Sequence, residues 1–287
     1  MVSVIIPTFR DWDRLQRCID ALREQTLESS KFEIIVVNND PSDSQPLWFS
    51  LPENTVLVSE SVRGSYAARN RGISAAHGTI LAFTDSDCIP TPNWLETALR
   101  HFTSTYQIHR VCGPVELLFT GQKLTPAETY ERVKGFAQER NATRGTAVTA
   151  NMFAKRSVFD RVGIFPSSFL SGGDIEWGRL AQAHGFGIEF EPEAIVLHPA
   201  RNRLKQLSDK SRRVATKDYR ALRSGAPGKR YLSLFWTLRP RLKAFPQYLR
   251  KSESSRDAIL AFCVGWWLSV VRVHEVLRLI RGNSKYS

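Results

Sequence analysis

The amino-acid sequence predicts an α/β fold with a mostly parallel central sheet, followed by a helical, basic C-terminal extension. Three observations lead there. Short apolar runs alternate with segments of helical period from residue 2 to about 198. The runs Val2–Pro7, Phe32–Val37 and Ile80–Phe83 each pass into a polar cluster, as strands buried on both faces do at their carboxyl ends. Residues 199–287 hold 21 of the 40 Lys+Arg but 5 of the 28 Asp+Glu, a net of +16, which leaves a net of −4 for residues 1–198. A near-neutral domain, 1–204, is therefore expected to precede a cationic one, 205–287.

Val2–Pro7 reads as the first strand. Arg14–Arg23 reads as a helix with Leu15, Cys18, Ile19 and Leu22 on one face. Phe32–Val37 is the second strand and ends in the turn residues Asn38-Asn39-Asp40-Pro41-Ser42-Asp43. Val56–Ser59 is a third strand, and a helix over Tyr66–Ala76 follows Gly64, with Gly78 as its expected C-cap. After the strand Ile80–Phe83, Pro92–Phe102 reads as a helix and Val111–Phe119 as a strand. Thr149–Phe153 leads to a short helix around Ser157–Val162, and Gly173-Asp174-Ile175-Glu176 opens a helix to about His184. Ile188–Phe190 and Ala194–Leu197 are short strands, the second running into His198. Ligands of parallel sheets sit beyond the carboxyl ends of the strands, so Thr8–Arg10, Asn38–Asp40 and Asp85–Asp87 are expected to share one crevice.

Asp85 and Asp87 flank Ser86 directly after the strand Ile80–Phe83. Alternate residues of an extended chain share a face, so the two carboxylates point the same way and repel unless a cation sits between them. Hard ions such as Mg²⁺ or Mn²⁺ suit all-oxygen sites and share them with substrate phosphates. An Asp-rich turn would place the same residues there without chemistry, and the rest of the chain must decide. The first glycine is Gly64, so a dinucleotide-binding glycine fingerprint, a P-loop and the glycine-rich N-terminal loop of nucleotidyltransferases are all absent from the first strand's end. A phosphate-bearing ligand would therefore be held by a metal and side chains.

Cys18, Cys88, Cys112 and Cys263 are scattered, which fits reduced thiols in a cytoplasmic protein and argues against a disulfide scaffold or a zinc site. The start, Met-Val-Ser-Val-Ile-Ile-Pro, reads as a strand and not as a signal peptide.

Taken together, the motifs resemble the family 2 glycosyltransferases, which have the GT-A fold. They are Val4-Ile5-Ile6-Pro7-Thr8-Phe9, Glu33-Ile34-Ile35-Val36-Val37-Asn38-Asn39-Asp40 and Ala67-Ala68-Arg69-Asn70-Arg71-Gly72-Ile73. Further along stand Asp85-Ser86-Asp87, Asn151 before Lys155-Arg156, Val162-Gly163-Ile164-Phe165, Gly173-Asp174-Ile175-Glu176 and His198. The resemblance implies an inverting, metal-dependent transfer of a sugar from a nucleoside-diphosphate donor, a UDP-sugar for preference, to a glycan or lipid-linked acceptor. It implies that Pro7, Thr8 and the turn at Asn38–Asp40 hold the base, with Arg10 also substrate-binding, and that Arg69 contacts the base or diphosphate. Asp85, with Ser86, would lie at the ribose or a metal-bound water. Asp87 would bind Mn²⁺ or Mg²⁺, with His198 as a further ligand, and Asn151 would contact donor or acceptor. Asp174 would be the general base, with Glu176 as the alternative. Two positions depart from the family: Asn38 and Asn39 stand where an Asp is frequent, and Gly173 stands where a Glu is frequent. The second departure keeps open a catalytically silent nucleotide- or membrane-binding scaffold of the same fold.

Residues 201–256 are rich in Lys and Arg, with aromatics at Tyr219, Tyr231, Phe235, Trp236, Phe245 and Tyr248. Ala258–Val271 is a fourteen-residue uncharged run containing Trp266 and Trp267. At about 1.5 Å per residue it is shorter than a hydrocarbon core of about 30 Å. Arg272, Glu275, Arg278 and Arg281 then recur at threes. The pattern reads as an interfacial helix on an anionic membrane surface, peripheral on the inner face of the plasma membrane. Packing on the catalytic domain or a homodimer contact would use the same residues, whereas nucleic acid is not expected as a partner.

Overall fold

The apolar runs become strands because each of their faces has a core to enter. In the computed structural model, which describes residues 1–104, 108–224, 234 and 236–282, β1 (Val2–Thr8) is buried along its whole length. Val2, Val4 and Ile6 enter one hydrophobic core, and Ile5 enters another on the opposite face. The same alternation sends Ile34 and Val36 of β2 (Phe32–Asn38) one way and Ile35 and Val37 the other.

Parallel pairing then sets the edge that matters for function. Strands β1, β2, β3 (Thr55–Ser59) and β4 (Ile80–Thr84) are mutually parallel, with Thr8 opposite Asn38 and Ile5 opposite Phe83. The polar clusters after β1, β2 and β4 therefore lie at one edge, as the sequence predicts. One strand of this sheet runs the other way, β8 (Asn151–Lys155), antiparallel to both β4 and β6 (Arg110–Cys112), and Asn151 stands opposite Thr84 at that edge. With β9 (Ile188–Phe190) the sheet has seven strands in the order β3-β2-β1-β4-β8-β6-β9. A second sheet has the order β5-β10-β7, from Ile89–Pro90, Val196–Pro199 and Val115–Leu118.

The helices follow the chain. On one face Leu15, Cys18, Ile19 and Leu22 of α1 (Trp12–Arg23) pack with Trp94, Leu95 and Ala98 of α3 (Trp94–Ser104). The other face takes α2 (Ser65–Ala75), α5 (Gln138–Ala142), α6 (Arg156–Val162) and α7 (Gly173–Ala183), through residues such as Tyr66, Ile73, Ala142, Phe159 and Trp177.

Two expectations are corrected. The strand predicted over Val111–Phe119 is two strands in two sheets, because the chain turns at Gly113-Pro114. Gly78 is not the C-cap of α2, a place held by Ala76. Its N–H donates to Ser3 Oγ at 2.7 Å, and a Cβ there would lie 2.6 Å from the Ser3 nitrogen, so glycine is required by close approach to β1.

The chain divides into two compact units. The first comprises Met1–Glu116, Phe136–Phe169 and Gly173–His198, and the second Leu117–Gly135, Leu170–Gly172 and Pro199–Ser287. The second unit resumes at Pro199, near the expected boundary, and takes in a segment the charge distribution does not mark. That segment carries α4 (Pro126–Lys134), opened by a Thr125/Glu128 capping box. It packs with α8 (Leu204–Ser224), α9 (Phe245–Lys251) and α10 (Ser255–Ile280), around small cores such as Ala127 with Leu207, Val264 and Leu268. Tyr231 and Phe235, expected to interrupt the basic tail, lie outside the described residues.

In the first unit a buried guanidinium closes the far end of α7. Arg110 Nη2 donates to Phe186 O at 2.6 Å, and Nη1 donates to Gly145 O at 3.0 Å and Gly178 O at 3.2 Å. Burial lowers its pKa to about 10, so it stays charged at neutral pH. Arg110→Ala leaves those carbonyls unpaired and is expected to cost about 3 kcal/mol. Urea unfolding measures this, and a cost below about 1 kcal/mol would show that the carbonyls find other donors.

Candidate active site

The carboxylates after β4 are met by two arginines and a histidine from three other elements. Arg69 of α2, itself buried, forms an ion pair with Asp85. Asp87 lies 3.9 Å from Arg14 of α1 and 3.7 Å from His198 Nε2 of β10. His198 is buried, its ring 5.0 Å from that of Phe136. Asp85, Asp87, Cys88 and His198 each offer an atom that could ligate a metal, all within 4.8 Å of one another. Burial, then the charges of Asp85 and Asp87, push the Cys88 thiol well above its usual range, so it stays protonated there. Two carboxylates and an imidazole fit Mn²⁺ or Mg²⁺ better than a thiolate-seeking metal. The buried hydroxyls of Thr8 and Thr84, at the same strand ends, have no hydrogen-bond partner, nor does Arg69 Nε. Ser86 lies half-buried between the carboxylates.

At the ends of β1 and β2, the expected base-binding residues separate into two groups. Asn38 donates to Asp43 O at 2.8 Å and accepts from the Asp40 N–H at 3.0 Å. Asn39 likewise donates to Glu60 O and Val62 O and accepts from the Gly64 N–H at 2.7 Å. Both amides are thus spent on shaping the loop. Asp40 keeps a carboxylate at the crevice, where Arg10 Nε donates to it at 2.6 Å and Ser42 Oγ at 2.6 Å. Those bonds hold its pKa below the usual carboxylate value, Ser42 foremost. Arg10 is exposed and sits at φ +52°, which turns the chain sharply after β1. Pro7 is buried within β1.

Asn151 is fully buried, and its amide is committed to the protein. Trp94 Nε1 donates to its carbonyl at 2.9 Å, while its NH₂ donates to Pro114 O and Ala194 O, each at 2.7 Å. It buttresses the strands behind the site, where contact with donor or acceptor was expected.

Asp174 opens α7 and is buried. Tyr66 Oη donates to its Oδ1 at 2.9 Å, and the Thr149 N–H donates to its Oδ2 at 3.2 Å. The Tyr66 phenol is pushed up by burial, and next by Asp174, so it remains a donor. The ring of Tyr66 also accounts for Gly173. A Cβ on Gly173 would lie 2.9–3.1 Å from three ring carbons, tighter than ordinary packing allows. Glu176, by contrast, is exposed and lies 3.4 Å from Arg179 on the same helix. Sequence reasoning missed Tyr66, Arg14 and Cys88. Tyr66 and Asp174 are 108 residues apart, and no local spacing connects them.

The Tyr66–Gly173 packing makes a testable pair. Gly173→Ala is expected to destabilise the protein by about 2 kcal/mol through overpacking. With Tyr66→Ser in the same chain, the combined cost should fall at least about 1 kcal/mol short of the sum. Urea unfolding of the four proteins decides; strict additivity would contradict the contact.

The family model described as "Glycosyl transferase family 2" matches residues 3–163. "Glycosyltransferase AglE" of Haloferax volcanii is 35% identical over 206 residues, which cover 70% of this chain and 67% of that protein. "Pre-mycofactocin glycosyltransferase" of Mycobacterium tuberculosis is 29% identical over 217 residues, 71% of this chain but 44% of the relative, so the chain spans less than half of that protein. Among solved structures, the mannosyltransferase PcManGT from Pyrobaculum calidifontis, in complex with GDP-Man and Mn²⁺, superposes with a TM-score of 0.63. That match covers 99% of this chain and 88% of the other at 16% identity, a likeness of fold.

Proposed function

The chain belongs to glycosyl transferase family 2, and on that premise we propose that it is an inverting enzyme acting on a nucleoside-diphosphate sugar and a hydroxyl of a glycan or lipid-linked acceptor. Its class as a glycosyltransferase and its GT-A fold follow from the family and from the fold likeness. The observation that carries the finer reading is the meeting of Asp85, Asp87 and His198 at the carboxyl edge of parallel strands.

A divalent cation bound by Asp87, Asp85 and His198 would stabilise the charge that grows on the departing diphosphate. Arg69 would hold Asp85 in place and add positive charge at the same edge. Asp40 would accept a ring N–H of the base, which uracil and guanine both carry. UDP-sugars are favoured by the family pattern, and the GDP-Man bound to PcManGT makes guanosine the second donor to test. In the reaction, the acceptor oxygen bonds to the anomeric carbon as that carbon's bond to the diphosphate oxygen breaks. The electron pair leaves with the diphosphate, and the hydroxyl proton passes to the Asp174 carboxylate. Asp174 suits this role better than Glu176 because Tyr66 and the Thr149 amide fix its orientation. The Gly173 departure gives the silent-scaffold reading little support, since Tyr66 fills the space a side chain there would need.

Asp174→Asn is expected to lower transfer about 10²–10⁴-fold while leaving nucleoside-diphosphate affinity within about twofold. Single-turnover transfer and a nucleotide titration of the same variant measure the two. Transfer at the parent rate would remove Asp174 as the base and leave the donor site standing.

A further inference from the structure

Helix α10 has the length and apolarity to cross a membrane, with an 18-residue window of mean hydropathy 1.4. Its packing in the second unit argues for another orientation. One face, including Ala258, Ala261, Val264, Leu268 and Val276, is buried in cores shared with α4, α8 and α9. Its Glu275 is buried near Arg212 and Arg278, and Arg272 forms a two-pronged ion pair with Asp218 of α8. A helix drawn across a bilayer would lose these contacts.

The opposite face is open. Ile259, Trp266, Trp267 and Val270 are 53%, 47%, 38% and 41% exposed, and Cys263 between them is exposed too. Their spacing of three and four residues lines them along one side of the helix. Trp266 Nε1 donates to Leu238 O at 2.8 Å, which ties the segment around Leu238 to this helix. That segment carries Trp236 and Leu242, 54% and 70% exposed, and the Arg239 guanidinium sits 4.1 Å from the Trp236 ring. From residue 239 to 256 the chain has six Lys+Arg, all exposed, and a single acid, Glu253.

We propose that this face is a docking surface for an anionic lipid bilayer, with α10 lying in the plane of the interface. Exposed tryptophans at headgroup depth with arginines beside them match such a surface. Charge complementarity selects it over a second copy, which would set two cationic rims against each other. The inference is independent of the donor site and goes beyond the proposed reaction: it places the enzyme where a lipid-linked acceptor is found.

The test is sedimentation of the full-length protein with vesicles of phosphatidylcholine, with and without phosphatidylglycerol, at about 0.15 M salt. Binding to the anionic vesicles is expected, and it should weaken as salt rises. Replacing Arg239, Arg241 and Lys243 by Gln should lower partitioning about a hundredfold, at about fivefold for each charge. The pair Leu242→Ser and Trp267→Ser should lower it at least about tenfold, and an unchanged melting temperature confirms that each variant is folded. Protein left in the supernatant overturns the proposal, as does equal binding to both vesicle types. A dimer in light scattering that Ile259→Arg dissociates also overturns it, in favour of a second copy.

Discussion

Asp85 and Asp87 lie in the turn directly after β4 with carboxylate oxygens within 4.8 Å of one another, and their mutual repulsion must be offset by positive charge. The protein supplies that charge from separate elements, Arg69 from α2 and Arg14 from α1, and sets the His198 imidazole of β10 beside Asp87. None of these groups neutralises both carboxylates at close range, since Arg14 and His198 stand 3.9 Å and 3.7 Å from Asp87. Asp85, Asp87 and His198 offer ligand atoms within 4.8 Å of one another, and in the proposed reading a cation held there would complete the balance. Parallel pairing carries the ends of β1, β2 and β4 to the same edge, and β10 of the second sheet brings His198 to Asp87.

From that point a continuous set of contacts runs to Asp174. Arg69 pairs with Asp85 and lies 5.7 Å from the ring of Tyr66, whose hydroxyl binds Asp174. The side chain that pairs with Asp85 is thus linked through one ring to the Asp174 carboxylate. Gly173 belongs to this linkage, because the ring occupies the volume next to it. A position that looks like a lost acid in the sequence is, in three dimensions, space occupied by a tyrosine.

Much of the frame was legible because it rests on local patterns. Buried strands betray themselves as apolar runs, and the polar clusters after Thr8, Val37 and Thr84 mark their ends without any knowledge of pairing. The pair Asp85 and Asp87 could be read for the same reason. What was not legible depends on distant partners. Asn38 and Asn151 look like ligand contacts in a linear chain, yet their amides are consumed by Asp43, Pro114 and Ala194. The turn at Gly113-Pro114 redirects one apolar run into two sheets, and periodicity cannot show a change of sheet. The grouping of Leu117–Gly135 with the C-terminal helices also escapes composition, since α4 joins them through Ala127 and Val133 and through ion pairs of Glu131 and Arg132 with residues distant in the chain.

The most direct measurement is a thermal-shift titration of the full-length protein with UDP, GDP, dTDP and CDP, each with and without Mn²⁺, repeated on Asp87→Asn. A ligand that binds only the folded state stabilises it by about 2.7 kcal/mol at a hundredfold excess over Kd. The predicted result is a Mn²⁺-dependent rise in melting temperature with UDP or GDP that Asp87→Asn abolishes. A rise with any nucleotide that is the same without Mn²⁺ and in Asp87→Asn, or none at all, would contradict a donor site built on this carboxylate pair.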